Sequence, residues 1–499
     1  MIYNLFFPNL SDFNRQICMK LSCVSMLILF FAGLNPALGQ CRMSESARLI
    51  AGDGMEGDYF GYSVDISTDR AVVGAYRDDD KGSDSGSVYV YRLDGDNWVR
   101  EAKLLASDGE MDDWFGWSVA ISANTIVVGA NGDRDAGDWT GSVYIFGYDG
   151  TNWTEQAKLL ADGSGYYWEE FGFDVAISAD SNTVLIGACK ANDNGFKSGA
   201  AYIFRFNGSE WVQQAKLLAS DGVELATFGN GVAISDDGNT AFIGAPGKDT
   251  TGYTAGSAYV FEFDGGQWLE KQKLIASDAA HGDHLGHHLA LSGDTLVVGA
   301  YGDDGAEPND LYCNSGSACV FSFDGINWIE RAKLELPDGR CRNQFGWAVD
   351  VFDNTVVVGA PDGHWETTYG PGFAYIFSFD GLNWIPKAKL TCSDAAYGDH
   401  FGWSVAVSAE TVLVGAELDD EHGSDSGAAY IFATGICPGD FDGDGDVDLI
   451  DLVSFACAWL SVSGNAEWNP DYDIGPGADG IVNMSDLAVF ADNWLVTVR

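Results

Sequence analysis

Basic residues are scarce in this chain. Its 499 residues include 26 lysines and arginines against 74 aspartates and glutamates, which gives a formal net charge of −48. Because nucleic acids present a dense array of phosphates, a chain this acidic with no basic stripe is not expected to bind them. An anionic membrane surface is disfavoured for the same reason. Cations, Ca²⁺ above all, are the partners that this charge favours.

Proline is also rare, and long apolar segments occur in one place only. Eleven prolines stand beside 63 glycines, as in an all-β protein with many tight turns. Hydrophobic residues make up 46% of the chain, so global disorder is excluded. The apolar run at 21–39 ends in Ala37-Leu38-Gly39, which predicts a signal peptide over 1–39, with Met19 as an alternative start. No later run reaches the ~18 residues of a membrane helix, so we expect an exported chain without a membrane span, secreted or on the cell-envelope exterior.

Cysteine is sparse and scattered. Eight cysteines follow the predicted cleavage site, and none forms a pair with zinc-site spacing. Disulfides are therefore the expectation for an exported chain. The eight are Cys41, Cys189, Cys313, Cys319, Cys341, Cys392, Cys437 and Cys457.

A unit of 55 to 60 residues recurs seven times. Each unit contains a Phe-Gly pair, with Leu for Phe once, and a Gly-Ala pair. Each unit predicts four short strands, a to d, which in the second unit are FGWSVAIS, TIVVGA, GSVYIF and NWTEQAKLLA. Seven four-stranded units indicate a mainly β fold, a seven-bladed β-propeller. The first residues of the Phe-Gly (or Leu-Gly) pairs are Phe60, Phe115, Phe171, Phe228, Leu285, Phe345 and Phe401.

The repeated pairs resemble the FG-GAP repeats of integrin α-chain head propellers and their bacterial relatives. The resemblance covers residues 44–436 and implies an extracellular binding or adhesion role. Integrin-like repeats that bind Ca²⁺ carry an Asp-rich loop between strands a and b. Here these links are short, as at 122–125 and 408–411, so that calcium site is not carried over.

Ring closure is visible in the repeat pattern. The seventh repeat lacks strand d, and a matching strand stands at the N-terminus, where 47–51 corresponds to 102–106. We expect this strand to complete the last blade and remove its exposed edge. Counting along the matched strands places Cys41 and Cys437 at the same turn position. This predicts a Cys41–Cys437 disulfide, and the rival pairing is Cys437–Cys457.

One face of the predicted ring carries the long connections between strands b and c. Variable loops on a rigid scaffold often bind ligands. The alternative is a solvated rim that only confers solubility. These acidic, dissimilar loops lie at 77–86, 131–141, 301–316 and 417–427.

The C-terminal region predicts a calcium site. Oxygen ligands stand at loop positions 1, 3, 5, 9 and 12, Gly445 occupies position 6, and Asp446 at position 7 offers its carbonyl. The loop residues are Asp440, Asp442, Asp444, Asp446, Asp448 and Asp451. The helix-like segment 451–460 returns as 486–495.

This duplicated loop and helix resembles a type I dockerin, a small α-helical, Ca²⁺-folded module, over 437–499. The resemblance implies docking to a cohesin-like or other surface protein. The second loop departs from the pattern by a four-residue insertion, and the recognition pair of the first repeat is Leu449-Ile450. Its ligands would be Asp471, Asp473, Asp479, Asn483 and Asp486.

No catalytic motif is present. The sequence contains no GxSxG, HExxH or phosphate-binding loop, and with so many acids it nominates no glycosidase pair. The tryptophans of strand d are expected in the core rather than as sugar platforms: Trp98, Trp153, Trp211, Trp268, Trp328 and Trp384. A transition-metal site is a minor alternative to a solvated loop at His281, Asp283, His284, His287 and His288.

Two functions follow from these patterns. The first is a non-catalytic, exported binding or adhesion propeller, attached through its calcium-dependent tail to a surface or assembly. The second is carbohydrate binding or hydrolysis, as a lectin or a glycoside hydrolase-type component of an extracellular complex that degrades polysaccharides. A purely structural surface protein is a third possibility. Binding to sugars separates the first from the second, and release of reducing ends separates an enzyme from a lectin.

Overall fold

The computed structural model describes residues 45–433, apart from 163–167, 248–253, 305–313, 338–341, 363–369, 410 and 421–422. The described residues form 28 β-strands in seven four-stranded sheets and contain no helix. Accordingly, no helix in the described ranges could cross a lipid bilayer. The sequence prediction of a seven-bladed propeller with four-stranded blades is confirmed.

The strands follow one another along the chain, four to a blade, with the first strand of the chain in the last blade. Their bounds are β1 (Glu45–Leu49); β2 (Phe60–Ser67), β3 (Arg70–Ala75), β4 (Ser87–Asp94) and β5 (Asn97–Leu104); β6 (Phe115–Ser122), β7 (Thr125–Ala130), β8 (Ser142–Tyr148) and β9 (Trp153–Leu159); β10 (Val175–Ile177), β11 (Thr183–Ala188), β12 (Ala200–Phe206) and β13 (Trp211–Leu217); β14 (Val232–Ile234), β15 (Thr240–Ala245), β16 (Ser257–Phe263) and β17 (Trp268–Leu274); β18 (Leu289–Ser292), β19 (Thr295–Ala300), β20 (Ser317–Phe323) and β21 (Trp328–Leu334); β22 (Val349–Phe352), β23 (Thr355–Ala360), β24 (Phe373–Phe379) and β25 (Trp384–Leu390); β26 (Phe401–Val407), β27 (Thr411–Ala416) and β28 (Ala428–Ala433).

Each blade is a meander whose strands pair in chain order. In blade 2, β6 pairs with β7, β7 with β8 and β8 with β9, all antiparallel. The first strand of every blade lines a central cavity, and the fourth lies at the opposite edge of the sheet. The second strands are continuous runs of β-branched and apolar residues, such as TIVVGA in β7, because both of their faces are buried between blades.

The last blade is completed from the N-terminus, as the sequence predicted. Strand β1 pairs antiparallel with β28, with Ala47 opposite Ile431 and Leu49 opposite Ala429. The amide of Phe60 then donates to the carbonyl of Ser426 at 3.1 Å, which joins the seventh blade to the first. The ring is therefore closed by hydrogen bonds between residues from the two ends of the repeat array.

The hydrophobic core lies between the blades. Phe115, at the start of blade 2, is fully buried in a cluster that also contains Val72 and Val88 of blade 1. Burying a phenylalanine side chain contributes about 2 kcal/mol, and a Phe or Leu occupies this place in all seven blades. The strand d tryptophans are buried in such clusters or packed against them, which confirms their expected place in the core: Trp98, Trp153, Trp211, Trp268, Trp328 and Trp384.

The repeated glycines allow the blades to approach closely. A Cβ atom on Gly74 would lie 2.2 Å from the carbonyl oxygen of Gly116 in the next blade. Gly86 has φ +85°, and a Cβ there would lie 2.0 Å from the oxygen of Phe115. The interpretation of the Phe-Gly and Gly-Ala pairs as blade-packing positions is confirmed.

The described cysteines correct the expectation of disulfides. Cys189, Cys319 and Cys392 are buried free thiols, and Cys319 belongs to the hydrophobic core between blades 4 and 5. The proposed Cys41–Cys437 bridge and its rival Cys437–Cys457 lie outside the described residues. So do the predicted signal peptide and the calcium ligands of the dockerin-like region, from Asp440 to Asp486.

Candidate functional site

The connections between the second and third strands meet the next blade at one face of the ring. Between blades 1 and 2, the amides of Trp114 and Phe115 donate to the carbonyls of Asp84 and Ser85 at 3.2 and 3.0 Å. We call the side formed by these connections and by the links between blades the loop face. Four of its loops have the same length and close with the same glycine hydrogen bond: 76–86, 131–141, 189–199 and 417–427.

The first acidic residues of these loops belong to ion clusters inside the blades. In blade 2, the Nζ atom of Lys158 lies 2.9 Å from Asp108, 2.8 Å from Asp133 and 2.6 Å from Asp135. The hydroxyl of Tyr144 donates to Asp133 at 3.0 Å. Burial lowers the pKa of Lys158, but its hydrogen bonds with these carboxylates outweigh burial and raise the pKa above its usual range. These carboxylates therefore hold a lysine rather than an external cation.

The same cluster recurs around the ring. Lys103 contacts Asp78 at 2.7 Å, and in the closing blade Arg48 from β1 contacts Asp419 at 2.6 Å. Loop carboxylates outside these clusters are exposed, namely Asp79, Asp138 and Asp420.

Aromatic side chains surround the entrance to the central cavity. They occupy six of the seven positions that follow the Phe-Gly or Leu-Gly pairs, and neighbouring rings touch except on either side of Asn230 in blade 4. Ring centroids lie 4.8 Å apart for Tyr62 and Trp117, 5.7 Å for Tyr62 and Trp403, and 4.7 Å for Trp347 and Trp403. The seven residues of this position are Tyr62, Trp117, Phe173, Asn230, His287, Trp347 and Trp403.

The cavity itself has a volume of about 530 Å³ and contains carboxylates that join neighbouring blades. Asp65 accepts hydrogen bonds from the amides of Ile66 and, across the blade boundary, of Ile121 at 2.6 Å. Asp350 binds the amide of Val407 in the same way at 2.6 Å. Burial raises the pKa of Asp65 to about 6, and burial together with the charge of Asp65 raises the pKa of Asp350 to about 8.

The histidine cluster does not assemble into a metal site. His284 stacks on Tyr301 with ring centroids 5.0 Å apart, and its Nδ1 atom lies 3.0 Å from the carbonyl oxygen of Pro246. His287 lies 3.0 Å from the carbonyl of Trp347, and burial lowers the pKa of His287 to about 3. Within the described ranges, no group of three or more His, Cys, Asp or Glu side chains is arranged to hold a metal ion.

Three tryptophans on the loop side of blade 2, from its junction with blade 1 to its junction with blade 3, were missed by the sequence analysis. Trp139 lies edge-on to Trp114 with ring centroids 4.5 Å apart, and it stacks on Trp168 at 5.5 Å with planes 12° apart. We call these three residues the aromatic ladder. The signal was present in the repeat alignment, where Trp139 and Trp168 stand at positions that no other blade fills with an aromatic residue.

Comparison with known proteins identifies the class of this fold. The model of the FG-GAP repeat family matches the chain seven times, once per blade, and together the matches cover most of the chain. The chain belongs to the FG-GAP repeat family. The matched segments are residues 43–91, 98–146, 153–204, 211–261, 268–321, 328–377 and 384–432.

Among individual proteins, the chain is similar to human integrin alpha-11. The two are 26% identical over 363 residues, which is 68% of this chain and 29% of the integrin. The chain therefore corresponds to less than a third of the relative's length. The resemblance to integrin α-chain propellers that the sequence suggested is confirmed.

Proposed function

We propose that this protein is an exported, non-catalytic binding module that adheres to a surface or macromolecule through its loop face. The observation that carries the proposal is a contrast on this face. The backbone hydrogen bonds that join neighbouring blades repeat, whereas the side chains that the loops present differ from blade to blade. A rigid scaffold with dissimilar loops is typical of recognition surfaces. Membership of the FG-GAP family and similarity to an integrin α chain support the same role.

The equal length of the loops allows a face-specific test. One variant replaces residues 131–141 with the sequence of 417–427, which has the same length and closing glycine. The control replaces the turn 149–152 on the opposite face with the sequence of 94–97. Both variants and the parent are applied to immobilised insoluble polysaccharides and to surfaces coated with purified extracellular proteins. We expect adhesion that the loop exchange weakens and the turn exchange preserves; equal adhesion of both variants, or none by the parent, would contradict the proposal.

We propose further that the tail, 437–499, binds Ca²⁺ and attaches the propeller to a cohesin-like or other surface protein. The support is the spacing of the carboxylates from Asp440 to Asp451. Because metal binding contributes folding free energy, Asp440→Ala should abolish calcium uptake measured by calorimetry on the full chain. The melting transition of the propeller should not change. Asp79→Ala, which removes an exposed carboxylate of the loop face, serves as the control; equal calcium uptake by Asp440→Ala and the parent would reject the assignment.

Carbohydrate recognition is the second candidate function. The observation that favours it is the aromatic ladder, since Trp168 is 55% exposed although it is a large apolar side chain. If a polysaccharide retains the protein, assaying the supernatant for new reducing ends distinguishes a lectin from a hydrolase.

A further inference from the structure

The aromatic ladder presents one open indole face. The guanidinium of Arg134 lies over the ring of Trp139 at 4.7 Å, and Trp168 stacks on the same ring. Trp114, in turn, stacks on Trp117 at the entrance to the cavity, with ring centroids 5.6 Å apart. The inner rings are thus held between neighbours, while Trp168 is 55% exposed. The ladder therefore ends in a rigidly supported aromatic plate on the loop face.

The backbone under this plate is in an unfavourable conformation for tryptophan. Trp168 has φ +71° and Trp139 has φ +58°, both in the left-handed region that bulky residues rarely adopt. Three other blades place glycine at the position of Trp168, with the same positive φ: Gly57, Gly282 and Gly398. The position of Trp139 is filled in other blades by smaller or polar residues, also with positive φ: Asp84, Lys197, Thr254, Asn314 and Asp425.

Folding does not require tryptophan at either position, because the other blades form the same backbone hydrogen bonds without it. The amide of Trp168 donates to the carbonyl of Asp138 at 3.0 Å, and in blade 2 Asp112 makes the equivalent bond to Ser83 at 2.9 Å. Strained, exposed residues that the scaffold does not need are a reason to look for function. The exposed Trp168, supported by the half-buried Trp139, points to a ligand that uses aromatic surface.

We infer that the aromatic ladder binds a neutral, pyranose-based polysaccharide, with a sugar ring packed on the open face of Trp168. This inference rests on the proposed binding function and names its ligand class. The C–H bonds on one side of a pyranose ring are slightly positive and pack against the negative π face of an indole. Because Trp168 lies open on the loop face, it can take one ring of a longer sugar chain that continues past it on both sides.

The polar surroundings fit vicinal hydroxyl groups. Arg134 pairs with Asp112 at 3.3 Å, and the exposed Asp138 directly precedes Trp139 in sequence. A guanidinium can donate to one hydroxyl of a sugar, and a carboxylate can accept from the adjacent hydroxyl. The net charge of −48 repels acidic polysaccharides, so the ligand is neutral.

The other blades provide the variants for the test. Trp168→Gly and Trp139→Asn place at each position a residue type that this chain already uses there with positive φ. Both variants should fold, with melting temperatures equal to or above that of the parent. Phe196→Ala is the control, because Phe196 is a 57% exposed aromatic residue on the loop face that lies outside the ladder. The probes are insoluble cellulose, xylan, mannan and chitin, with binding isotherms measured by depletion of the full-length protein.

We expect the parent and Phe196→Ala to bind at least one of these probes equally. Trp168→Gly should bind at least about tenfold more weakly, since loss of one aromatic stack corresponds to about that factor. Equal binding by Trp168→Gly and the parent, or no binding of any probe by the parent, would overturn the inference. Binding to coated proteins that the 131–141 exchange weakens would still leave the proposed function standing. Retention only on a basic peptide matrix, lost in 0.5 M salt, would overturn the sugar assignment in favour of a cationic ligand.

Discussion

Single glycines set the distance between neighbouring blades. Gly86 and Gly150 both have positive φ, at +85° and +95°. A Cβ on Gly86 would collide with the backbone of Phe115, whereas a Cβ on Gly150 would meet nothing within 4 Å. The two positions therefore separate the conformational role of glycine from its steric role.

We predict that Gly86→Ala destabilises the propeller more than Gly150→Ala does. Both variants pay the left-handed conformational penalty of about 1–2 kcal/mol. Only Gly86→Ala must also push the loop of blade 1 away from Phe115. This breaks the hydrogen bond between the amide of Phe115 and the carbonyl of Ser85. Chemical denaturation of the two variants measures the difference in unfolding free energy; equal values would show that the blades can separate without loss.

Lysines inside the blades are also critical residues. Lys158→Met keeps the aliphatic stem but leaves Asp133, which is 2% exposed, without its counter-charge. Removing one partner of a buried pair costs about 3–5 kcal/mol, so the urea midpoint should fall sharply. The matched control is Lys271→Met, because the pair of Lys271 with Glu262 is exposed and 3.6 Å apart. Its stability should change by less than about 1 kcal/mol; similar losses in both variants would contradict this account.

The individual strands could mostly be predicted from the sequence, except for the length of the first strand of each blade. The second, third and fourth strands of each blade have the expected pattern. The first strand extends from the Phe-Gly pair in blades 1, 2 and 7 but is shorter in blades 3 to 6, as in Val175–Ile177. In blades 1, 2 and 7, Ser63 and its counterparts pair with the second strand, and a bulge follows Phe60. In blade 3 isolated bonds such as Gly172 to Gly187 at 3.0 Å replace that pairing, and the repeat motif does not predict the difference.

The closing strand is the element on which the ring depends. Leu49 of β1 is 3% exposed, and Arg48 contacts Asp394 at 2.7 Å as well as Asp419. We predict that deletion of residues 40–52 lowers the melting temperature of the propeller, because β28 becomes an open edge and Asp419 loses its ion pair with Arg48. Adding a synthetic peptide of residues 44–52 should restore part of the loss. A deletion variant that melts like the parent would show that closure does not depend on this strand.

At the scale of the whole molecule, the sequence predicted the architecture but not the candidate site. The repeats alone predicted seven blades and the origin of the last strand. The aromatic ladder unites Trp114, Trp139 and Trp168, which no spacing rule relates, since they meet only when blade 2 packs between blades 1 and 3. The ion clusters were missed because their members are also far apart in sequence. The pairing of strands within the blade brings Lys158 and Asp133 together.

The pH dependence of stability is another property of the whole ring. Four equivalent carboxylates accept an amide hydrogen bond from the residue three positions earlier, and burial raises the pKa of each to about 6: Asp58, Asp113, Asp283 and Asp399. Their ordinary pKa is about 3.8, so between these values the folded state binds more protons than the unfolded state. Their stabilising effect is present below pH ~4 and is lost as the pH rises through 6.

We therefore predict a melting temperature higher at pH 5 than at pH 7.5, by on the order of 5 °C. Weaker repulsion among the many carboxylates acts in the same direction. Burial would raise the pKa of Asp108, but hydrogen bonds from Lys158 and Tyr144 lower it. Protonation of Asp108 therefore destabilises the folded state, and this loss appears only below pH ~4. Thermal melts across this range measure the profile; a melting temperature that falls between pH 7.5 and 5 would contradict it.

Amide hydrogen exchange of the full-length protein, with and without a saturating amount of the ligand that retains it, tests the central claim most directly. The claim is that binding takes place on the loop face at the junction of blades 2 and 3. It predicts slower exchange on binding in peptides that cover 131–141 and 168–173, and unchanged exchange in the turn 149–152 on the opposite face. Protection confined to such turns, with none at 131–141 or 168–173, would contradict the account.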